Sequence, residues 1–444
     1  MSSDAKRKRR NDLIEYITVS EEQKQILRKR IPSIIKGNIP VDIDYDGSIL
    51  EIHSHDRASY THGFHKFPAK YIPEIPRWGI LKFSREGDAI VDPFCGSGTT
   101  NVEAILNRRN SYFIDVDPIA LLLTKVKTTG IDEKNLRKTK DWLIRAIYST
   151  NESEIPEFPN RDYWFKPEVL QDLGTVTKCI NSVENVDIRD FFLVCLSSIL
   201  KEVSNADPKF LYALAISRKM REQKNRVVDV KGEFVKRVKE LVPLMINFSK
   251  TCPKGYFVKC MGKDAREIEL PDESIDLGIT SPPYCNAVDY PRANQLQIYW
   301  FGFWKGRLSK LKERYVGTEN VPAKEYKELH KYGNTRLDEI LETIYELDER
   351  RSYVVYRYFT DMRKNFIEMK RVLKPRSHYV VAVADNIVRK VPVPTHSILM
   401  DIAQEVGFEI ADYFGSLLMM RPHDMRKSEK MKAEWVMAFR KASQ

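Results

Sequence analysis

Two short stretches carry residue types whose order and spacing could do chemistry. The first is Ser281-Pro282-Pro283-Tyr284, directly after the apolar run Ile275, Leu277, Gly278, Ile279. Neither proline can donate to a β ladder, and each fixes its own φ and restrains the residue before it. The chain must therefore leave a strand here in a stiff, extended form, with unpaired carbonyls beside a hydroxyl and an aromatic ring. Such a rim is either a structural turn or a clamp for a flat, amine-bearing ligand. The second stretch is "DPFCGSGTT", Asp92 to Thr100. Gly96 and Gly98 permit a tight turn and let a ligand approach the backbone, and the helix expected next offers free N–H groups at its start. No Gly-Lys-Ser/Thr follows, so nucleotide triphosphate hydrolysis is disfavoured. Asp115 ends "YFID" roughly twenty residues beyond the glycines, the position from which a carboxylate holds ribose hydroxyls. It could instead cap a helix, but Asp117, just before Pro118, is better placed for that.

These residues need strands and helices to hold them. "AIVDPF" and "SYFIDV" read as buried strands, each followed by a helical stretch, the second from about Pro118. "FVKCMG", "IDLGIT" and "HYVVAVAD" read as three more strands, and "IADYFGSLLMM" with "EWVMAFRKA" as a closing pair around a polar loop. Short apolar strands alternating with helices predict a parallel sheet covered on both faces. Residues 128–250, helical in pattern, and residues 301–350, dense in Lys, Arg, Glu and Tyr, interrupt the alternation as insertions. Insertions are where substrate choice usually resides, because the sheet itself is generic.

The chain has 444 residues, 42% hydrophobic and 30% charged, an ordinary globular balance with room for more than one domain. Lys and Arg outnumber Asp and Glu by 73 to 62, a net charge of +11 that suits a polyanionic partner. The six cysteines form no CxxC pair, which disfavours a zinc ribbon and predicts a reduced, intracellular protein. No run of about 18 apolar residues and no apolar N-terminus is present, so neither a membrane span nor a secretory signal is expected. "KRKRR" at Lys6 to Arg10 reads as a solvated tail before a phosphate contact or a nuclear address.

"DPFCGSGTT", "SPPY" and the upstream "FHKFPAKYIPE" together resemble the S-adenosylmethionine-dependent amino DNA methyltransferases, over roughly residues 50–127 and 255–442. The resemblance implies an α/β fold: a doubly wound, Rossmann-like class I methyltransferase sheet, mostly parallel with a closing antiparallel strand, plus the helical insertion. It implies a lead-in at 1–50, a catalytic domain at 51–127 and 251–444, a candidate target-recognition region at 128–250, and a second insertion at 301–350 that could contact DNA. By the same resemblance, Asp92, Phe94, Gly96, Ser97, Gly98 and Thr99 would surround the methionine part of S-adenosylmethionine. Asp115 would take the ribose, Asp264 would lie near the adenine, and Phe67, Pro68 and Ala69 would close the pocket. Ser281, Pro282, Pro283 and Tyr284 would be catalytic.

The implied chemistry suits that motif. An exocyclic amine is a poor nucleophile until its nitrogen pyramidalises, and acceptors aimed at its two N–H groups favour that geometry. Ser281 Oγ and the Pro282 carbonyl are such acceptors, and Tyr284 could stack on the base. The partner is then double-stranded DNA with its target base flipped out. The resemblance implies a cytoplasmic, prokaryotic, nucleoid-associated setting, with a cognate restriction endonuclease as a candidate further partner. Ser in place of Asp or Asn points to cytosine N4 over adenine N6 in this family. Cytosine-C5 chemistry needs a Pro-Cys nucleophile, and the chain has no such dipeptide. An RNA guanine-N2 methyltransferase and a binding module that has lost catalysis remain as alternatives. His53, His55, His62 and His65 have a spacing that could hold zinc, but methyl transfer needs no metal and none is expected. Trp300, Phe301 and Trp304 read as packing residues, with Asp289, Tyr290 and Arg292 open between packing and phosphate or base contact.

Overall fold

The computed structural model describes residues 33–210, 214–218, 220, 226–285, 289–417 and 433–443. The basic run Lys6–Arg10, the last three residues of "IADYFGSLLMM" and the first three of "NAVDY" lie outside them.

A nine-stranded sheet forms the centre. In chain order its strands are β1 (Ser33–Lys36), β2 (Ser48–His53), β3 (Ala89–Asp92), β4 (Asn110–Phe113), β5 (Val258–Cys260), β6 (Ile275–Thr280), β7 (Leu373–Ala384), β10 (Phe408–Leu417) and β11 (Ala433–Lys441). A separate hairpin joins β8 (Asn386–Val388) to β9 (Val391–Val393). Spatial order across the sheet is β1-β2-β10-β11-β7-β6-β3-β4-β5. Every neighbouring pair is parallel except the two made by β11, which runs antiparallel to β10 and β7. This is the expected doubly wound α/β sheet with a closing antiparallel strand. β6 and β7 read as near-continuous apolar runs because helices cover both faces.

Helices α1 (Glu74–Phe83), α2 (Thr99–Leu106) and α3 (Pro118–Thr128) pack on the sheet, α1 against Leu277 and Ile279 of β6 and Val380 of β7. The insertion itself is α4 (Glu133–Ser149), α5 (Pro167–Asn181), α6 (Val186–Val203) and α7 (Val230–Thr251). Side-chain caps start three of these, from Asp132, Asn185 and Asp229. The insertion shares one apolar cluster with Val102 and Ile105 of α2 and Leu123 and Val126 of α3, so it is fastened to the sheet layer. On the other side α8 (Thr335–Leu347), α9 (Glu349–Val372) and α10 (Thr395–Val406) cover β6, β7 and β11 in a second cluster.

One boundary needs correction. β2 straddles the lead-in boundary expected at residue 50 and pairs in parallel with β10, and β1 extends the sheet by a further strand. The sheet therefore begins within the presumed lead-in. β1 is a four-residue, largely exposed edge strand, and in β2 the polar Glu51 breaks the run of buried Ile49, Leu50 and Ile52, so neither shows the continuous apolar run of β3.

Candidate active site

The sheet order reverses between β3 and β6. β3 leads outward to β4, and β6 leads the other way to β7. Ligands bind outside the carboxyl ends of the strands at such a switch point. The glycine loop leaves β3 there, and Ser281-Pro282-Pro283-Tyr284 leaves β6. Thr280 Oγ1, on the last residue of β6, donates to Asp92 Oδ1 at 2.6 Å, joining the two loops at their roots. Asp92 also accepts from Phe94 N–H at 3.1 Å. Burial pushes its carboxyl up to about 6, against the hydrogen bonds from Thr100 and Thr280.

The two loops open onto a cleft of about 740 Å³, counting the solvent at its mouth. Phe67, Pro68, Ala69, Phe94, Gly96, Ser97, Thr99, Asp115, Asp264, Ser281 and Pro283 all line it. Phe67 overlies Gly96, where a Cβ would meet the ring at 3.4 Å. Its ring is stacked on Tyr290, centroids 6.1 Å apart. Ala69 sits at φ 53°, a left-handed conformation that costs a residue with a Cβ about 1–2 kcal/mol. That strain lies on the cleft wall. His65 Nε2 and Ser197 Oγ are 3.0 Å apart, tying this wall to α6, so the insertion braces the cleft.

Asp115 is half-buried and faces the glycine loop. Its Oδ2 accepts from Gly96 N–H at 2.8 Å and its Oδ1 from Asp117 N–H at 2.9 Å. Burial, reinforced by the neighbouring Asp117 charge, pushes its carboxyl up to about 7. Asp117 is the helix cap: it accepts from Ile119 N–H at 2.8 Å, and from Asn294 Nδ2 at 2.8 Å. Asp264 lines the cleft with its carboxylate already engaged, Arg266 Nε donating to Oδ1 and NH2 to Oδ2, each at 2.8 Å. Burial raises that carboxyl, but the Arg266 hydrogen bonds outweigh it and hold it below the usual range.

Four residues expected at the ligand do not line the cleft: Asp92, Gly98, Pro282 and Tyr284. Asp92 is 1% exposed and belongs to the junction of β3 and β6. Gly98 serves packing. At φ 73° a Cβ there would lie 2.9 Å from the Thr124 Cα, so the glycine lets α2 start against α3. Gly98→Ala is expected to lower thermal stability by at least the roughly 1–2 kcal/mol of left-handed strain, with the backbone clash added, as a melting curve would register. Tyr284 points inward, 8% exposed, and its hydroxyl donates to Glu434 Oε1 at 3.0 Å. Its ring packs in the cluster that holds Cys285, Val316 and Tyr358 instead of standing open to a base.

Other cleft residues had no motif to announce them. Lys70 lines the wall and donates to the His62 carbonyl at 2.7 Å; burial, then Arg57 repulsion, lowers its ammonium to about 8. Arg314, Tyr315 and Val316 come from the charge-dense insertion. Tyr290, Tyr315 and Val316 also border a second cleft, of about 730 Å³, with Asp289, Lys312, Asn320 and Arg350.

The rings of three of the four histidines, His53, His62 and His65, lie within hydrogen-bond distance of protein side chains. His62 Nε2 lies 2.8 Å from Glu103 Oε1, and His53 Nε2 lies 3.1 Å from Glu51 Oε1. Among the described residues no group of three His, Cys, Asp or Glu could hold a metal ion. Trp300 is 2% exposed and donates to Thr177 Oγ1 at 2.9 Å, a packing role against the helical insertion. Cys285 is buried, which pushes its thiol up and leaves no thiolate at the rim. No helix among the described residues is long and apolar enough to cross a membrane.

The residues fit a bound S-adenosylmethionine. Ser97 Oγ and Thr99 Oγ1 are buried on the cleft wall without a hydrogen-bond partner among the described residues. Buried hydroxyls are rarely left so, and a ligand with polar ends would satisfy them.

The N6/N4 methyltransferase family model, described as DNA methylase, matches residues 6–125. The type II methyltransferase M.MvaI of Kocuria varians is 28% identical over 369 residues, 77% of this chain and 80% of its own length. The type II methyltransferase M.BsoBI of Geobacillus stearothermophilus is 26% identical over 80% of this chain and 78% of its own. Among solved structures, a SAM-dependent methyltransferase from Methanosarcina mazei matches 82% of this chain and 97% of its own length, with 9% identity and a TM-score of 0.32.

Proposed function

We propose that this chain is an S-adenosylmethionine-dependent DNA methyltransferase acting on the exocyclic N4 amine of a flipped cytosine. One observation carries the reading: the glycine loop and the Ser-Pro-Pro-Tyr loop leave adjacent parallel strands, are joined by the Thr280–Asp92 hydrogen bond, and open onto one cleft. The DNA methylase family model and the type II methyltransferase relatives support methylation of a DNA amino group. The choice of cytosine N4 rests on Ser281 in the first position of the motif.

When bound, S-adenosylmethionine supplies an electrophilic sulfonium methyl. The chain's own residues do the rest. Asp115 would accept hydrogen bonds from the ribose hydroxyls, Ser97 and Thr99 would meet the amino-acid end, and Phe67 would cover the pocket. Ser281 Oγ, which has no partner among the described residues, accepts one amine N–H. The Pro282 carbonyl accepts the other from the base side, on a backbone the two prolines keep from turning away. With both N–H groups held, the nitrogen lone pair leaves conjugation and points toward the methyl group. Tyr284, being buried, shapes the wall behind the base. The second cleft shares Tyr290, Tyr315 and Val316 with the cofactor cleft and offers a flipped base a way in toward Ser281, so residues 301–350 on its wall are the candidates we favour for reading DNA. Residues 128–250 brace the cofactor wall.

Incubation of the protein with methyl-labelled S-adenosylmethionine and either duplex DNA or folded RNA tests this. Label is expected in DNA, with binding that weakens steeply in salt, about −0.9 on the log–log slope per phosphate neutralised. Preferential labelling of RNA would overturn the assignment.

A further inference from the structure

Glu434 is a carboxyl group in an unusual place. It is the second residue of β11 and only 3% exposed. Removing a carboxylate from water costs several kcal/mol unless hydrogen bonds replace the lost hydration. Here burial pushes the group up to about 7, against the hydrogen bond from Tyr284 and the charge of Arg57, which hold it down. The hydroxyl of Tyr284, 3.0 Å from Glu434 Oε1, is thus the polar group that makes its burial tolerable.

The placement follows from topology. Glu434 pairs in register with Ala384 of β7, and β7 pairs with β6, whose end releases the Ser281–Tyr284 loop. The antiparallel strand therefore reaches past β7 to hold the last residue of a loop that β6 began. Tyr284 is gripped at its other end as well. A Cβ at Gly317, which adopts φ +74°, would lie 3.3 Å from the Tyr284 carbonyl oxygen, so the second insertion runs close against the loop backbone. Between these two holds the prolines make Ser281 to Tyr284 one stiff unit. Moving the Tyr284 ring moves the acceptors.

We infer that Glu434 is a positioning residue for methyl transfer, fixing the Ser281–Tyr284 rim through the Tyr284 hydroxyl without touching substrate or cofactor. This rests on the methyltransferase reading and adds to it a residue 150 positions away in sequence. Glu434 and Tyr284 are absent from the cofactor cleft, so the bond between them acts on the acceptor geometry and not on S-adenosylmethionine binding.

Steady-state and single-turnover assays on the full chain test it. Glu434→Ala is expected to lower kcat at least tenfold with KM for S-adenosylmethionine within about twofold. Glu434→Gln, which keeps an acceptor, should recover most of the rate, and that rescue is not expected if the carboxyl serves only overall stability. Tyr284→Phe deletes the same bond from the other side, so the double variant should be no slower than the slower single one. A folded Glu434→Ala with wild-type kcat, or losses that multiply in the double variant, would overturn the inference. Should Glu434→Ala fail to fold, Tyr284→Phe decides alone, and a wild-type rate for it overturns the inference. A wild-type protein that transfers no methyl to DNA would overturn both this inference and the reading beneath it, whereas an active wild type with indifferent variants would overturn the inference only.

Discussion

Ser281→Ala is expected to slow single-turnover methyl transfer by roughly 10²–10³-fold, the range seen when one preorganised hydrogen-bond partner of a transition state is deleted. The effect should be this large because the two acceptors act together. With only the Pro282 carbonyl left, the amine can rotate back into conjugation with the ring, and the pyramidal nitrogen is no longer favoured over the planar one. Ser281 lines the cofactor cleft after β6, on the opposite side of β3 from β4 and Asp115, so S-adenosylmethionine affinity should change by no more than about threefold, less than 1 kcal/mol. Rapid-quench measurement on a DNA duplex, paired with calorimetric titration of the cofactor, separates the two effects. An unchanged transfer rate would remove Ser281 from the chemistry. Ser281→Asp keeps an acceptor and adds charge, and partial activity is expected of it.

Asp115→Ala is expected to weaken S-adenosylmethionine binding tenfold or more, since a hydrogen bond to a charged group contributes about 1.5–3 kcal/mol. The Gly96 and Asp117 N–H groups would lose their acceptor at the same time, loosening the glycine loop. The raised carboxyl adds a pH dependence of definite sign. Its folded value of about 7 lies above that of an unfolded aspartate, so its contribution to the stability of the free protein is fully present below about pH 4 and is lost as pH rises through about 7. Cofactor binding runs the other way, because ribose hydroxyls need the ionised form. Affinity should therefore fall as pH drops from 8 to 6, by up to about tenfold per unit for one proton. Titrations at those two pH values check this, and equal affinities would place the ribose elsewhere.

Much of the site was legible because its parts are local. Prolines and glycines punctuate the ends of β3 and β6, and the apolar runs before them mark buried strands whatever their partners. Asp115 and Asp117 could be told apart by their offsets from Pro118 alone. What stayed hidden depends on residues distant in sequence. Nothing near Tyr284 announces Glu434, so the ring was expected to face a base when its hydroxyl is in fact drawn inward. Gly98 looks like a ligand-approach glycine until Thr124 is seen beneath it. Asp264 carries its partner only two residues away, yet the sequence does not say that Arg266 closes on it instead of on a ligand. Arg314, Tyr315 and Val316 sit in a charge-dense insertion with no motif, and only the fold brings them to the cleft. β1 was lost because it is a four-residue, largely exposed edge strand, and β2 because Glu51 breaks the run of its buried Ile49, Leu50 and Ile52.

The central claim is that this cleft methylates an exocyclic amine of a flipped base. The most direct measurement is mass spectrometry of nucleosides from duplex DNA methylated by the purified protein, run against standards. N4-methylcytosine is the predicted product. N6-methyladenine would correct the base while keeping the amine chemistry of Ser281 and Pro282, whereas 5-methylcytosine, or a DNA without any new methylated base, would contradict the account.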